Sequence, residues 1–209
     1  MTALRNAGAG VIVRDIAKVI VANRAHLSEI DGKIGDGDHG NNMAKGFGRA
    51  AERVSDDDTL DAAFGTLSGV LMSEIGGSMG PLYGMMFSDM ADAIGSAERI
   101  DADRFADMLS AGSEGVKAIG SAGPGDKTLL DTLLPAVDAF RNTDGDFKAR
   151  LDAMEAASVA GRDSTKDMIA KVGRSSRLGE RSRGVLDAGA TSCCLILSAL
   201  ADGVRERLT

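Results

Sequence analysis

The chain has 209 residues, of which 44% are hydrophobic, whereas only 3% are aromatic and none is tryptophan. Its core must therefore be built from aliphatic side chains and the ten methionines, a composition that favours helices. The formal net charge of −7 and the lack of a clustered basic tract argue against a nucleic-acid-binding protein.

Apolar residues recur at the three- and four-residue spacing of amphipathic helices along most of the chain. This spacing predicts helices over residues 10–30, 41–54, 59–75, 82–94, 101–119, 128–140, 147–172 and 190–208. No segment shows the alternation typical of a strand, and most connections are short, so antiparallel neighbours are expected. We therefore predict an all-α fold in which residues 1–209 form a single domain of about eight antiparallel amphipathic helices.

The connection after the first predicted helix is dense in acids and glycines. It reads Ile34-Gly35-Asp36-Gly37-Asp38-His39-Gly40-Asn41-Asn42, with Asp31 just upstream. Carboxylates this close repel one another unless a cation lies between them, and oxygen ligands favour magnesium, calcium or manganese. An EF-hand is excluded, because a loop starting at Asp36 or Asp31 lacks the required glutamate. Magnesium, with phosphates as further ligands, is the favoured prediction, and a solvated Asp-Gly turn is the alternative.

Three further loops are rich in glycine, at residues 76–84, 120–128 and 173–189. Together with residues 31–42 they follow the first, third, fifth and seventh predicted helices. Alternate connections of an up-and-down bundle lie at the same end, so we expect all four loops to meet at one rim. Backbone N–H groups at a helix start can bind an anion there, although a plain tight turn explains residues 76–84 equally well.

The loop at residues 120–128 resembles a phosphate-binding P-loop but differs from it in one essential respect. Asp126 separates the last glycine from Lys127, and the preceding segment is predicted to be helical rather than a strand. We predict instead that Asp126 is a helix N-cap, with Lys127 and Thr128 free to face a ligand. Arginines at residues 174–183 suit phosphates or a partner's carboxylate, and a solvated basic loop is the alternative.

The two cysteines, Cys193 and Cys194, are neighbours within an apolar run. We predict that both are buried free thiols in a reducing compartment. No window approaches the roughly 20 apolar residues of a membrane span, and no secretory leader is recognisable. The sequence therefore predicts a cytoplasmic protein with no membrane partner and no nucleic-acid partner.

Taken together, the glycine-rich segments resemble the nucleotide-binding L subunit of dihydroxyacetone kinase and the equivalent domain of single-chain kinases of that family. The matching strings, in the order of the family, are Ile34-Gly35-Asp36, Asp38-His39-Gly40, Gly76-Gly77, Gly80-Pro81-Leu82, Pro124-Gly125-Asp126-Lys127-Thr128, Leu178-Gly179-Glu180-Arg181-Ser182 and Gly189-Ala190-Thr191-Ser192. The resemblance implies a barrel-like bundle of eight antiparallel helices with a nucleotide site in the loops at one end. That fold agrees with the helices counted above.

The resemblance also implies a set of site residues. Asp31, Asp36 and Asp38 would hold two Mg²⁺ ions that bridge the phosphates of bound ADP or ATP. The nucleotide would be lined by His39, Gly40, Asn41, Asn42, Ser78, Met79, Gly120, Thr128, Leu129, Arg174, Asp187, Ala188 and Gly189. Two residues depart from the family, since Ala188 replaces a frequent proline and Met79 replaces a small polar residue. No catalytic base is expected in this chain.

The implied function is transfer of a phosphoryl group to a small ketose that a separate K-type subunit holds. The chain would thus be a phosphotransferase that is active only with its partner. ADP would be a tightly bound cofactor, rephosphorylated by a phosphohistidine M subunit of the phosphotransferase system. The alternatives are an ATP-dependent subunit for another ketose such as erythrulose, and a nucleotide-loaded regulatory module that contacts a transcription regulator. A homodimer is left open.

Overall fold

The computed structural model describes residues 2–209, and this part of the chain contains nine α-helices. These are α1 Val11–Ala22, α2 Arg24–Ile34, α3 His39–Arg53, α4 Leu60–Glu74, α5 Met79–Ile94, α6 Ala102–Ile119, α7 Leu130–Asn142, α8 Phe147–Ser164 and α9 Ala188–Arg205. Two short strands, β1 Ala3–Arg5 and β2 Arg99–Asp101, and two 3-10 segments, Thr165–Asp167 and Ser175–Ser182, complete it. The predicted all-α fold is confirmed.

Eight of the helices in the described residues form a closed ring. In the order α1, α3, α4, α5, α6, α7, α8 and α9, each packs against the next, and α9 packs back against α1. The interior is filled by a continuous core that includes two aromatic clusters. Phe47 and Phe64 pack on Phe87, and Phe105 packs on Phe140 with ring centroids 4.9 Å apart. The barrel-like bundle expected from the resemblance is therefore present.

Helix α2 lies outside this ring, and its separation from α1 corrects the single helix predicted for residues 10–30. The break falls at Asn23, whose side-chain Nδ2 donates to the carbonyl oxygen of Val19 at 2.8 Å. An asparagine that bonds to its own preceding turn competes with helix propagation, which explains why the chain changes direction here. Apolar periodicity alone does not register such a break, because Leu27 and Ile30 of α2 are also buried.

The two short strands are a feature that the sequence pattern did not indicate. β1 and β2 pair antiparallel, with Leu4 opposite Ile100, and both side chains are buried. The backbone of Ala3 is further bonded to Thr209, with N–H to O distances of 3.0 and 3.1 Å. Three-residue strands are too short to show an alternating pattern, and their pairing depends on contacts between distant parts of the chain.

Helix α8 ends at Ser164, earlier than the predicted end at residue 172. Hydroxyl groups account for the difference, because Ser164 Oγ donates to the carbonyl of Gly161 and Thr165 Oγ1 donates to that of Arg162. Thr165 Oγ1 also accepts the backbone N–H of Asp187 at 3.0 Å, which draws the following segment back across the bundle. As predicted, both cysteines are free and buried. None of the helices at residues 2–209 is long and apolar enough to cross a lipid bilayer.

Candidate functional site

The connections that follow α2, α4, α6 and α8 line one cavity of about 460 Å³. The prediction that the four glycine-rich loops meet at one rim is thereby confirmed. Most of the predicted site residues lie in its wall, namely Asp31, Asp36, Asp38, His39, Asn42, Ser78, Met79, Gly120, Thr128, Leu129, Arg174, Asp187, Ala188 and Gly189. The cavity is also lined by the apolar side chains of Ile34, Leu82, Val116, Leu130 and Val172.

Gly40 and Asn41 are not brought into this cavity. Successive residues of a helix point about 100° apart, so His39 and Asn42 at the start of α3 share a face that Asn41 does not. Asn41 is exposed and lines a separate surface cleft together with Arg24 and Lys45. Gly40 packs against α2, where a Cβ atom would lie 2.7 Å from the backbone nitrogen of Ser28. The structure thus assigns Gly40 to helix packing.

The three predicted metal ligands have different surroundings. Asp31 Oδ2 accepts the backbone N–H of His39 at 3.2 Å, and the Asp36 carboxylate forms an ion pair with Arg174 Nη1. Asp36 and Asp38 are both exposed. In residues 2–209, no three carboxylate, histidine or cysteine side chains converge closely enough to hold a metal ion in this arrangement. The donor set itself suits magnesium, since these carboxylates line the same cavity and leave room for further oxygen ligands.

His39 joins two buried hydroxyl groups that sequence reasoning did not select. Its Nε2 lies 2.9 Å from Ser192 Oγ, which in turn lies 2.7 Å from the hydroxyl of Tyr83. Burial lowers the pKa of His39 to about 4, so the imidazole is neutral at neutral pH. The only sequence signal for Tyr83 and Ser192 is that each lies within a glycine-rich segment at a helix start.

Lys127 is placed differently from its prediction. Its side chain is 1% exposed, and Nζ donates to the backbone carbonyl oxygens of Met168, Ser182 and Val185 at 3.2, 2.5 and 2.6 Å. Burial lowers the pKa of the ammonium group. Its backbone φ of 64° is a left-handed value that non-glycine residues rarely adopt. Lys127 borders the cavity, but its Nζ anchors the segment 165–187 and is not free to face a ligand.

Asp126 is not a helix N-cap, because α7 begins only at Leu130. Its carboxylate accepts the N–H of Gly123 at 2.7 Å and pairs with Lys171 at 3.1 Å. The carboxylate that organises this turn is Asp131, which accepts the N–H groups of Gly125 and Thr128 at 2.5 and 2.8 Å. The predicted cap was wrong because Asp126 lies four residues before the first residue of α7, too far to accept from its first turn.

Asp187 is the N-cap of α9 and accepts the N–H of Ala190 at 2.7 Å. Burial raises the pKa of its carboxyl to about 6, an effect that the bond from Ala190 partly opposes. The cap fixes the turn that brings Asp187, Ala188 and Gly189 into the cavity wall.

The cavity thus combines carboxylates, an arginine, helix N-termini and an apolar wall. The sequence profile described as the DAK2 domain matches residues 33–202. The chain belongs to the DAK2 domain family. The resemblance noted from the sequence strings is confirmed by this match.

Named relatives agree with this membership. The ADP-binding subunit DhaL of PEP-dependent dihydroxyacetone kinase 1 from Listeria innocua is 38% identical over 190 residues, covering 90% of this chain and 91% of the relative. The corresponding subunit from Escherichia coli is 36% identical over 186 residues, covering 87% of this chain and 89% of the relative.

The fold also matches a solved structure, the dihydroxyacetone kinase from C. freundii in complex with AMP-PNP and Mg²⁺. The TM-score is 0.69 at 24% identity, over 93% of this chain. The chain spans only 33% of that kinase, and the likeness concerns the fold.

Proposed function

We propose that this DAK2-family chain is the ADP- and Mg²⁺-binding L subunit of a dihydroxyacetone kinase. It passes a phosphoryl group to a small ketose held by a separate K-type subunit. The observation that carries the proposal is the convergence of four distant loops, which places Asp31, Asp36 and Asp38 in one cavity with Arg174. The names of the relatives from Listeria innocua and Escherichia coli support ADP as the nucleotide.

The acidic side of the cavity would hold the cation. Asp31, Asp36 and Asp38 are the proposed ligands of two Mg²⁺ ions, which when bound would neutralise charge on the phosphate oxygens. Arg174, now paired with Asp36, has a planar guanidinium suited to phosphate oxygens. In the proposed bound state this ion pair is broken, so that the Asp36 carboxylate binds the metal and the guanidinium of Arg174 binds the nucleotide.

The remaining walls would hold the nucleotide itself. Ser78 and Met79 lie at the start of α5, where free backbone N–H groups favour an anionic phosphate. The apolar side chains of Leu82, Val116 and Leu129 provide a surface on which a purine ring can lie. Gly120, Thr128 and the Asp187–Gly189 turn complete the proposed pocket.

The chain's own residues bind and orient the donor, while the acceptor is held elsewhere. The proposed K-type partner supplies the ketose and the group that accepts its hydroxyl proton. A phosphohistidine M subunit would phosphorylate ADP while the nucleotide stays bound to this chain. A transcription regulator as a further partner and a homodimer stay predictions.

The first experiment is to purify the chain without added nucleotide, denature it, and analyse the released nucleotide and metal. Stoichiometric ADP with magnesium is expected. An empty protein that binds ATP and Mg²⁺ only when they are supplied would favour an ordinary ATP-dependent kinase subunit. No binding under either condition would contradict the proposed function.

The second experiment mixes the chain with a K-type subunit and several ketoses, using either a phosphorylated M subunit or ATP as donor. Formation of dihydroxyacetone phosphate from the M subunit's phosphoryl group is expected. Preferential transfer to erythrulose would change the acceptor and leave the role of this chain intact. A chain that retains ADP but never supports transfer would favour the regulatory binding module.

A further inference from the structure

A hydrogen-bonded chain of three buried side chains reaches the cavity through His39, and the proposed function does not yet use it. His39, Ser192 and Tyr83 come from α3, α9 and α5, and their exposed fractions are 6%, 0% and 0%. Ser192 Oγ lies at the centre, within 2.9 Å of His39 Nε2 and 2.7 Å of the Tyr83 hydroxyl. The carbonyl oxygen of Gly189 is 3.0 Å from Ser192 Oγ and 3.1 Å from the Tyr83 hydroxyl.

The number of protons in this cluster restricts its arrangement. Tyr83 and Ser192 each have one hydroxyl proton, and Gly189 offers only an acceptor. Burial raises the pKa of Tyr83, so its hydroxyl keeps its proton. Tyr83 can donate this proton to Ser192 Oγ at 2.7 Å, and the single proton of Ser192 is then available for His39 Nε2 at 2.9 Å. Without Tyr83, Ser192 Oγ would lose this donor and would be free to accept a proton from His39 Nε2 while donating to the Gly189 carbonyl oxygen at 3.0 Å.

The other ring nitrogen of His39 is open to the cavity. Within residues 2–209, Nδ1 forms no hydrogen bond. The buried side-chain atoms that lack a hydrogen-bond partner in these residues are Ser28 Oγ and Arg150 Nε, so the unpartnered Nδ1 is not sealed from solvent. Since His39 is almost wholly buried and lines the cavity, the accessible edge of its ring faces the space where phosphates are proposed to bind. A phosphate oxygen there can only accept a hydrogen bond, so it needs a proton on Nδ1.

We propose that Tyr83 and Ser192 are positioning residues that hold His39 in the Nδ1–H tautomer, in which it donates a hydrogen bond to a phosphate oxygen of the nucleotide. Ser192 donates to Nε2, and Tyr83 donates to Ser192 Oγ, so that the serine proton is directed to the histidine. The proposal rests on the proposed function for the identity of the ligand. The tautomer itself is a property of the free protein.

The tautomer can be measured directly, because the chain contains only two histidines. Nitrogen-15 NMR of histidine-labelled protein without nucleotide distinguishes the two neutral tautomers, and His26→Gln assigns the signals, since His26 is exposed and lies outside the cavity. The Nδ1–H tautomer of His39 is expected. A predominant Nε2–H tautomer would overturn the proposal, whatever the protein binds.

Two variants then test the positioning roles. Ser192→Ala should move His39 towards the Nε2–H tautomer and weaken ADP binding in the presence of Mg²⁺ about five- to tenfold. Tyr83→Phe keeps the ring and should cause a smaller shift in the same direction. The double variant should resemble Ser192→Ala alone, because the effect of Tyr83 passes through Ser192.

The matched control is Ser158→Ala. Ser158 is also a buried helical serine whose hydroxyl lies within hydrogen-bond distance of the carbonyl three residues before it, but it lies in α8 outside the cavity. It should change neither the tautomer nor ADP affinity. An unchanged tautomer in both Ser192→Ala and Tyr83→Phe would overturn the proposal. If Ser192→Ala does not fold, an unchanged tautomer in Tyr83→Phe would by itself overturn the proposal. Absence of ADP binding by the wild-type chain would instead contradict the proposed function.

Discussion

Lys127 donates a hydrogen bond from Nζ to the carbonyl oxygen of Val185 at 2.6 Å. This contact, with those to Met168 and Ser182, ties the turn before α7 to the segment 165–187. The segment has little regular structure of its own, and it carries Arg174 and Asp187 into the cavity wall. One buried ammonium group therefore positions residues that come from a different part of the sequence.

Replacing Lys127 with methionine should loosen this segment. The variant leaves three carbonyl oxygens without their donor, at a cost of about 1–3 kcal/mol for each buried group. We expect faster amide hydrogen exchange across residues 165–187 and at least tenfold weaker ADP binding. Lys117→Met is the control, since Lys117 is exposed and forms its ion pair with the exposed Glu114. Unchanged exchange in Lys127→Met would contradict the anchoring role.

Replacing Asp36 with asparagine tests the acidic side of the cavity. The substitution keeps the shape of the side chain but removes the charge that a cation requires and that Arg174 now pairs with. Removing a residue that only hydrogen-bonds to a metal ligand commonly lowers metal affinity about 10- to 100-fold. Removing a proposed ligand itself should have at least this effect, so we expect Mg²⁺-dependent ADP affinity to fall about 100-fold or more. Calorimetric titration at several Mg²⁺ concentrations measures it. Asp57→Asn, in an exposed loop, should bind like the wild type. Full Mg²⁺-dependent binding by Asp36→Asn would refute the assignment.

Two glycines of α3 should respond oppositely to substitution by alanine. At Gly40 the added methyl group would collide with the backbone of α2, so we expect a loss of about 1–3 kcal/mol in the free energy of unfolding. At Gly48 the nearest neighbour of the added methyl group would be a methyl group of Val21 at 3.9 Å, which is an ordinary contact. Alanine should therefore stabilise the helix there by about 0.5–1 kcal/mol. Urea denaturation measures both. Equal effects of the two variants would contradict the packing role of Gly40.

Asp187 should make stability depend on pH. Its pKa is about 6 in the folded protein and 3.8 ordinarily, so folding favours the protonated carboxyl, and stability is lost as the pH rises from about 4 through 6. Asp187→Asn keeps an acceptor for Ala190 but does not titrate. The wild type should therefore lose stability relative to this variant as the pH rises. The difference between their unfolding free energies, variant minus wild type, should increase by up to ~3 kcal/mol between pH 4 and 7.

Chemical denaturation at several pH values measures this difference. The contribution of His39, whose depressed pKa acts in the opposite direction, is common to both proteins and cancels. Asp146→Asn is the matched control, because Asp146 caps α8 through an equivalent bond to Ala149 but is exposed. A pH-independent difference for Asp187→Asn would show that burial of this carboxyl is not a cost to folding.

Much of the fold could be predicted because helix formation is largely a local property. The amphipathic stripes of α3 to α7 and α9 gave their approximate extents, and the glycine-rich connections marked where one cavity forms. The errors occur where a side chain competes with the helix, as at Asn23 and Thr165. The pairing of Leu4 with Ile100 was missed for another reason, since it joins distant segments.

The sequence by itself determined the helical class, the acidic segment with Asp31, Asp36 and Asp38, and the family. The tertiary structure alone decided which neighbours share a surface. It separated Asn41 from His39, enclosed Lys127 among carbonyl groups, and joined His39 to Tyr83 and Ser192. The physical reason is that periodicity and composition reflect local backbone preferences and burial. Hydrogen-bond partners depend on long-range packing, which a residue's immediate neighbours in sequence do not specify.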